Sequence, residues 1–221
     1  MTTTQKLIKN LGLALAVFLS VCIIGGIITA LGGIAYIFSD REEPAGEMKV
    51  YSIEREISSL SVDLSGAELK IKTADKFSVE SNHKYISVNS DNGKLTVSET
   101  KKPFSFSSKG VTVILSVPEG FVFKEAAIAT GAGKVSVDAL SCNDLKLSLG
   151  AGKADVKNLI ANSDAHIDGG AGELTIDGGL LSNLELDMGV GELNLKSRIE
   201  GESELDDGVG ETNLTLLGSR E

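Results

Sequence analysis

One short pattern, Gly-x-Gly followed by an alternating run, recurs five times in the last 91 residues of this 221-residue chain. It reads "GAGKVSV" from Gly131, "GAGKADV" from Gly150, "GAGELTI" from Gly170, "GVGELNL" from Gly189 and "GVGETNL" from Gly208, at spacings of 19, 20, 19 and 19 residues. A ligand site is made once, whereas a structural period is made many times. The glycine pairs Gly131 and Gly133, Gly150 and Gly152, Gly170 and Gly172, Gly189 and Gly191, and Gly208 and Gly210 are therefore read as repeat architecture.

Each unit carries its own strand signal. In the fourth, Leu184, Leu186, Met188 and Val190 alternate with Glu185, Asp187 and Gly189, the period of two of a half-buried strand. The apolar phase then jumps by three to Leu193, and the same jump, Ala171 to Leu174 for example, sits on every glycine pair. The expectation is a corner or bulge at the glycines with Ala171 and its equivalents packed inward. Aligning the units gives two apolar columns, Ile128, Leu147, Ile167, Leu186, Leu205 and Val137, Val156, Ile176, Leu195, Leu214. No single unit could bury such a face, so neighbouring coils must cover one another. The predicted fold is all-β, a single-stranded β-solenoid (β-helix-like) of about 19-residue coils over 126–221. A meander with a hairpin at each glycine pair is the competing structure.

Upstream the period is looser. "SGAELKI" at Ser65 and "DNGKLTV" at Asp91 echo the motif, "GVTVILSV" from Gly110 reads as a strand, and "KKPFSFSSK" before it reads as a loop. Six aromatic residues, Phe77, Tyr85, Phe104, Phe106, Phe121 and Phe123, gather here. A solenoid needs its first coil covered, so 51–125 is expected to form irregular early coils and an N-terminal cap.

The first 50 residues are of another kind. Leu11 to Phe38 contains no charge, and about 20 apolar residues already cross a bilayer, so 11–38 is predicted to be one transmembrane α-helix. It is too long for the core of a cleaved signal peptide, and "LSVC" places bulky Val21 where a lipoprotein cleavage site needs a small residue. Lys6 and Lys9 before the span, against "SDREEP" after it, put the 1–10 tail in the cytoplasm and everything beyond the 39–50 linker outside. Gly26 with Ala30, or Gly12 with Ala16, offers a small-xxx-small face for a helix-mediated homodimer. Cys22 in the span and Cys142 far outside it cannot bridge within one chain.

Charge separates the ends of the chain further. The net charge is −10, and the two lysines of the tail leave −12 for everything after it, which disfavours nucleic acid and anionic lipid as partners. Residues 122–162 carry +1, whereas 163–221 carry −11. Asp168, Asp187 and Asp206 line up one coil apart, as do Glu173, Glu192 and Glu211, with roughly 4.8 Å between rungs. These six form the candidate acidic interaction face, and their mutual repulsion could shift pKa values or attract cations. The bland alternative is that they keep a strand surface soluble.

Tests for chemistry fail. The third glycine of a dinucleotide fingerprint is replaced by Thr175, and a strand follows instead of a helix. Gly133-Lys134 and Gly152-Lys153 are followed by Val135 and Ala154, not the Ser or Thr of a P-loop. "GGAGELTID" puts Leu174 where a calcium-binding nonapeptide needs aspartate. His83 and His166 sit in no nucleophile or metal-ligand spacing, and by phase His166 belongs to an outward column with Lys146, Glu185 and Glu204. No catalytic residue, metal site or cofactor is expected.

The succession "SVPEGFVFKEAAIATGAGKVSV", followed by near-copies of strand, Gly-x-Gly, strand, resembles the bacterial "putative adhesin" β-strand-repeat family, a domain of unknown function. The likeness spans about residues 50–221, and some members, the LiaG type, are membrane-anchored. It implies a β-solenoid displayed at the cell envelope, in some relatives near envelope-stress signalling genes, and it brings no catalytic residues. The expected function is a non-enzymatic, single-pass membrane protein presenting an acidic solenoid to an envelope protein or wall polymer. Two alternatives stand: an accessory or sensor in envelope-stress signalling, and a polysaccharide-acting solenoid enzyme.

The last coil, "EGESELDDGVGE", concentrates charge where an open strand edge would otherwise recruit another chain. Replacing Glu202, Glu204, Asp206 and Asp207 by Ser and Asn is expected to raise the apparent mass in light scattering through end-to-end association; an unchanged mass would remove this role.

Overall fold

The computed structural model describes residues 46–99 and 110–218. The predicted transmembrane helix, the cytoplasmic tail, Cys22, Phe104, Phe106 and the whole "KKPFSFSSK" segment lie outside them. Among the described residues no helix is long and apolar enough to cross a membrane.

Five long strands carry the repeats: β8 (Val122–Val137), β9 (Leu140–Asp168), β10 (Ala171–Ser182), β11 (Leu184–Glu200) and β12 (Glu204–Leu216). Each turns corners without leaving the sheet, and every pairing among them is parallel, in the register the repeats dictate. Ile128 lies beside Leu147, Ile167 beside Leu186 and Leu186 beside Leu205. Val137, Val156, Ile176, Leu195 and Leu214 follow one another down the second column. Parallel pairing excludes the meander, whose hairpins would be antiparallel. The architecture is an all-β solenoid, and its two columns are buried except in the last coil, where Leu214 is 51% exposed.

The glycine corner differs from the sequence expectation. Val190 and Val209 are exposed, at 57% and 69%, and Ala132, Ala151 and Ala171 also face solvent. The inward phase passes from Met188 directly to Leu193, so the four residues between them carry the chain around an outward corner. The second glycine of each of the three middle units explains why. Gly152, Gly172 and Gly191 have φ of +128°, +137° and +143°, and a Cβ on Gly172 would run into the carbonyl oxygen of Gly152 one coil below. That backbone points the residue between the glycines away from the core.

Asparagines stand at two further corners, Asn158 beside Gly178 of the next coil and Asn183 beside Asp164 of the preceding one, both with φ of +44°. Asn183 Nδ2 donates to the Ser163 carbonyl at 2.9 Å and its Oδ1 accepts from the Glu202 N–H at 3.3 Å, tying three successive coils. Asn162 Nδ2 donates likewise to the Cys142 carbonyl at 3.2 Å.

The N-terminal part does not follow chain order. Strands β2 (Ser59–Leu64) and β3 (Glu68–Ala74) form a coil whose corner, Ser65 to Ala67, lies under the Gly131 corner. On its other side the coil pairs in parallel with β6 (Lys94–Glu99) and β7 (Thr112–Pro118), which come later in sequence but lie further out in the stack. Antiparallel strands finish this end: β4 (Ser78–Ser81) on β7, β1 (Lys49–Ser52) on β4, and β5 (Ile86–Asp91) on β6. "DNGKLTV" is therefore no echo of the repeat. Asn92 and Gly93, at φ +49° and +75°, are the two-residue turn of the β5–β6 hairpin, which needs a left-handed backbone at both positions. Phe77, Phe121 and Phe123 pack edge-on or tilted beside these strands, with ring centroids 4.8 to 6.0 Å apart, and Phe123 is fully buried.

Gly172→Ala is expected to destabilise the protein by about 3 kcal/mol or more, since it combines an unfavourable φ with a collision against fixed backbone. Gly218→Ala, with nothing near its Cβ position, is expected to be neutral. Thermal unfolding followed by circular dichroism distinguishes the two.

Candidate binding face

The corner between the glycines is where outward side chains converge. Down the stack its middle residue is Ala132, Ala151, Ala171, Val190 and Val209, an exposed apolar ridge that widens toward the last coils. The acidic columns flank it. Asp187 pairs in register with both Asp168 and Asp206 on one side, and Glu192 with both Glu173 and Glu211 on the other. The sequence reading found both columns but missed the ridge between them. Its signal was the glycine pair itself, whose second member lies at positive φ in Gly133, Gly152, Gly172 and Gly191 and marks the corner that the residue before it tops.

The columns change chemistry along the stack. The glutamate column begins as Lys134 and Lys153, and Lys153 Nζ donates to Glu173 Oε1 across one rung at 2.6 Å. Glu192 and Glu211 accept instead from the side-chain amides of Asn194 and Asn213, at 2.7 and 3.2 Å, and Asn213 also donates to Asn194 at 3.0 Å. In the aspartate column Asp168 accepts from Ser148 Oγ at 3.2 Å. His166, half-exposed, lies 3.0 Å from Glu185 and 3.6 Å from Asp168, a member of the surface ladder its phase predicts.

A depression at the corner, lined in part by Leu149, Ala154, Lys153 and Glu173, contains a single carboxylate, where general acid–base work on a glycosidic bond uses two. Among the described residues no group of three or more His, Cys, Asp or Glu side chains could hold a metal ion. Cys142 is fully buried, and burial, followed by the nearby Asp144 charge, pushes its thiol up to about 12, far from a reactive thiolate.

One buried polar pair escaped the sequence reading. His83 Nε2 lies 2.9 Å from Glu99 Oε1, both side chains being about nine-tenths buried. His83 Nδ1 accepts from the Tyr85 N–H at 3.2 Å, which places the ring proton on Nε2, facing the carboxylate. Glu99 Oε2 accepts from the Ser65 N–H at 2.7 Å, so the pair anchors the β4–β5 connection to the β2–β3 corner.

The hydrogen bond to Glu173 raises the Lys153 pKa above the ordinary lysine value. The stabilisation this brings is complete below that ordinary value and is lost as pH rises through the folded one. Glu173→Gln is expected to lower the Lys153 titration midpoint, read by NMR, while Glu192→Gln, one rung further on, leaves it in place.

Among solved structures, the chain is similar to a "putative cell adhesion protein" from Clostridium sporogenes ATCC 15579, at 14% identity and a TM-score of 0.42, covering 76% of this chain and 98% of that one. It is also similar to a "putative adhesin" from Bacteroides fragilis NCTC 9343, at 13% identity and a TM-score of 0.38, covering 76% and 96%. No curated protein matches the sequence. Residues 57–215 match the Toastrack DUF4097 family, most of the chain and all five glycine corners, and the protein belongs to that family.

Proposed function

We propose that this protein is a non-enzymatic component of the bacterial cell envelope, held by a single N-terminal transmembrane helix with its tail in the cytoplasm, whose solenoid binds an envelope protein or wall polymer in an adhesin-like way. The observation that carries the reading is the corner face. An apolar ridge runs from Ala132 to Val209, and from Ala171 onward it lies between two columns of carboxylates repeated at fixed spacing on a parallel sheet. Side chains fixed at rung spacing lose little freedom when a partner docks, which favours binding over turnover chemistry. The face grows more acidic and more apolar in the same direction, so it suits a partner with cationic groups around an apolar centre. The uncharged 11–38 segment and the −12 carried beyond the tail support display outside the membrane.

Affinity purification of the full-length protein from membranes tests the reading. Partners are expected to be lost, with folding intact, in a variant carrying Asp168→Asn, Asp187→Asn, Glu173→Gln and Glu192→Gln. An unchanged partner set would reject the face, and partners crosslinked only through the span would favour the envelope-stress accessory reading.

A further inference from the structure

The two ends of the stack are not equivalent. One is finished by the antiparallel strands β1, β4 and β5, whereas the other stops at β12, which pairs with β11 and with nothing else among the described residues. We propose that the free edge of β12 is a strand-addition site for an extended segment of a partner protein in which lysine or arginine alternates with apolar residues. The proposal rests on the reading of the solenoid as a binding scaffold, and assigns it a second, terminal site.

The backbone of β12 is oriented for such an addition. The Leu217 N–H donates to the Ser197 carbonyl at 2.9 Å, and in-plane groups alternate along a strand. The N–H and C=O of Leu216, Leu214 and Thr212 therefore point away from β11, toward the open side. An extended chain laid there would continue the parallel ladder.

The side chains say what that chain must carry. In the preceding coil Leu186, Leu195 and Ser197 are almost fully buried beneath β12. Among the described residues no coil covers their counterparts: Leu205 is half-buried, and Leu214 and Leu216 are 51% and 67% exposed. Apolar residues at those positions of an added strand would close the core. The outward positions Glu204, Asp206 and Glu211 are acidic, and none has a cationic partner among the described residues. Within the molecule the same situation is met by a cation one rung away. Lys153 bonds Glu173 at 2.6 Å, and Lys196 lies 2.9 Å from Asp177 on the neighbouring strand. A lysine or arginine on the added strand opposite Glu211 would repeat that pairing.

Two other occupants fit less well. The 100–109 segment is tethered to β6 and β7, six rungs from β12, about 29 Å at rung spacing. A loop of that length fixed at both ends reaches outward only about 19 Å. A second copy joined edge to edge would bring two sets of Glu202, Glu204, Asp206, Asp207 and Glu211 together. Asp207 stands in the column of Met188, where it accepts from Thr212 Oγ, so charge also intrudes on the core side. Such intrusion blunts pairing between like edges and leaves the edge selective for a basic one.

The test uses a fluorescein-labelled octapeptide of sequence Lys-Val-Lys-Val-Asn-Val-Lys-Val. Its controls are a peptide of the same composition with the four valines in one block, and an alternating peptide with glutamate for lysine. Anisotropy is measured against the full-length protein in zwitterionic nanodiscs. The alternating basic peptide is expected to bind, with affinity falling as salt rises, and both controls are expected to fail. Thr212→Pro, which removes an outward N–H, should weaken binding at least tenfold. The pair Asp206→Asn and Glu211→Gln, which leaves the backbone intact should the proline variant not fold, should weaken it several-fold and flatten the salt dependence. Equal binding of the block peptide, or indifference to these variants, would overturn the proposal. So would protection of the Thr212, Leu214 and Leu216 amides from hydrogen exchange without peptide, which would mean that the chain itself or a second copy occupies the edge. The variant neutralised at Asp168, Asp187, Glu173 and Glu192 should retain peptide binding, so the corner face and the terminal edge fail separately.

Discussion

Everything in this molecule depends on parallel strands kept in register at one rung spacing. A parallel ladder places identical positions of successive coils directly over one another, so a residue type chosen at one position is felt by the rung above and the rung below. An apolar residue in such a column is covered only if its neighbours are apolar too, which is why Val137, Val156, Ile176 and Leu195 form one buried line. A carboxylate in a column meets another carboxylate unless the chain supplies a cation or an amide, as Lys153 and Asn194 do here. The close approach of Gly172 to the Gly152 carbonyl follows from the same stacking, since a side chain at the tight corner would hold two coils apart.

The register was legible before the structure because it is written as a period, and a period survives without knowledge of any contact. What required coordinates was local. Val190 continues the alternation of Leu186 and Met188 in sequence, yet it faces solvent because the chain turns a corner over Gly189–Gly191, with Gly191 at φ +143°. Asn92-Gly93 has the composition of a hairpin turn, but beside five glycine corners it passes for a sixth. The asparagine ladder recurs at about the coil length, as Asn143, Asn162 and Asn183, and was hidden by the larger glycine signal. The His83–Glu99 pair had no sequence signature at all, since 16 residues and a crossing of the chain separate its members.

The acidic columns show how a structural repeat becomes a surface with direction. The inner coils carry lysine at the position where later coils carry glutamate, and alanine at the ridge where later coils carry valine. Neither change affects the core, because both positions point outward. The scaffold therefore leaves these columns free to vary, and in this chain they vary together, so that charge and exposed apolar surface rise along one axis.

The displaced position of β2 and β3 bears on how such a protein is made. Residues 59–74 are synthesised early but are covered on one side by 94–99 and 112–118 and on the other by 122–137, so the first coil stays incomplete until all of these have emerged. From there each later coil finds its template already in place, about 19 residues behind it. Among the described residues the stack is thus covered on its β6–β7 side and open at β12. Because each coil rests only on its neighbours, a coil inserted or removed beside β12 would leave the contacts that precede it undisturbed, and a stack of this kind is free to change length in steps of one turn.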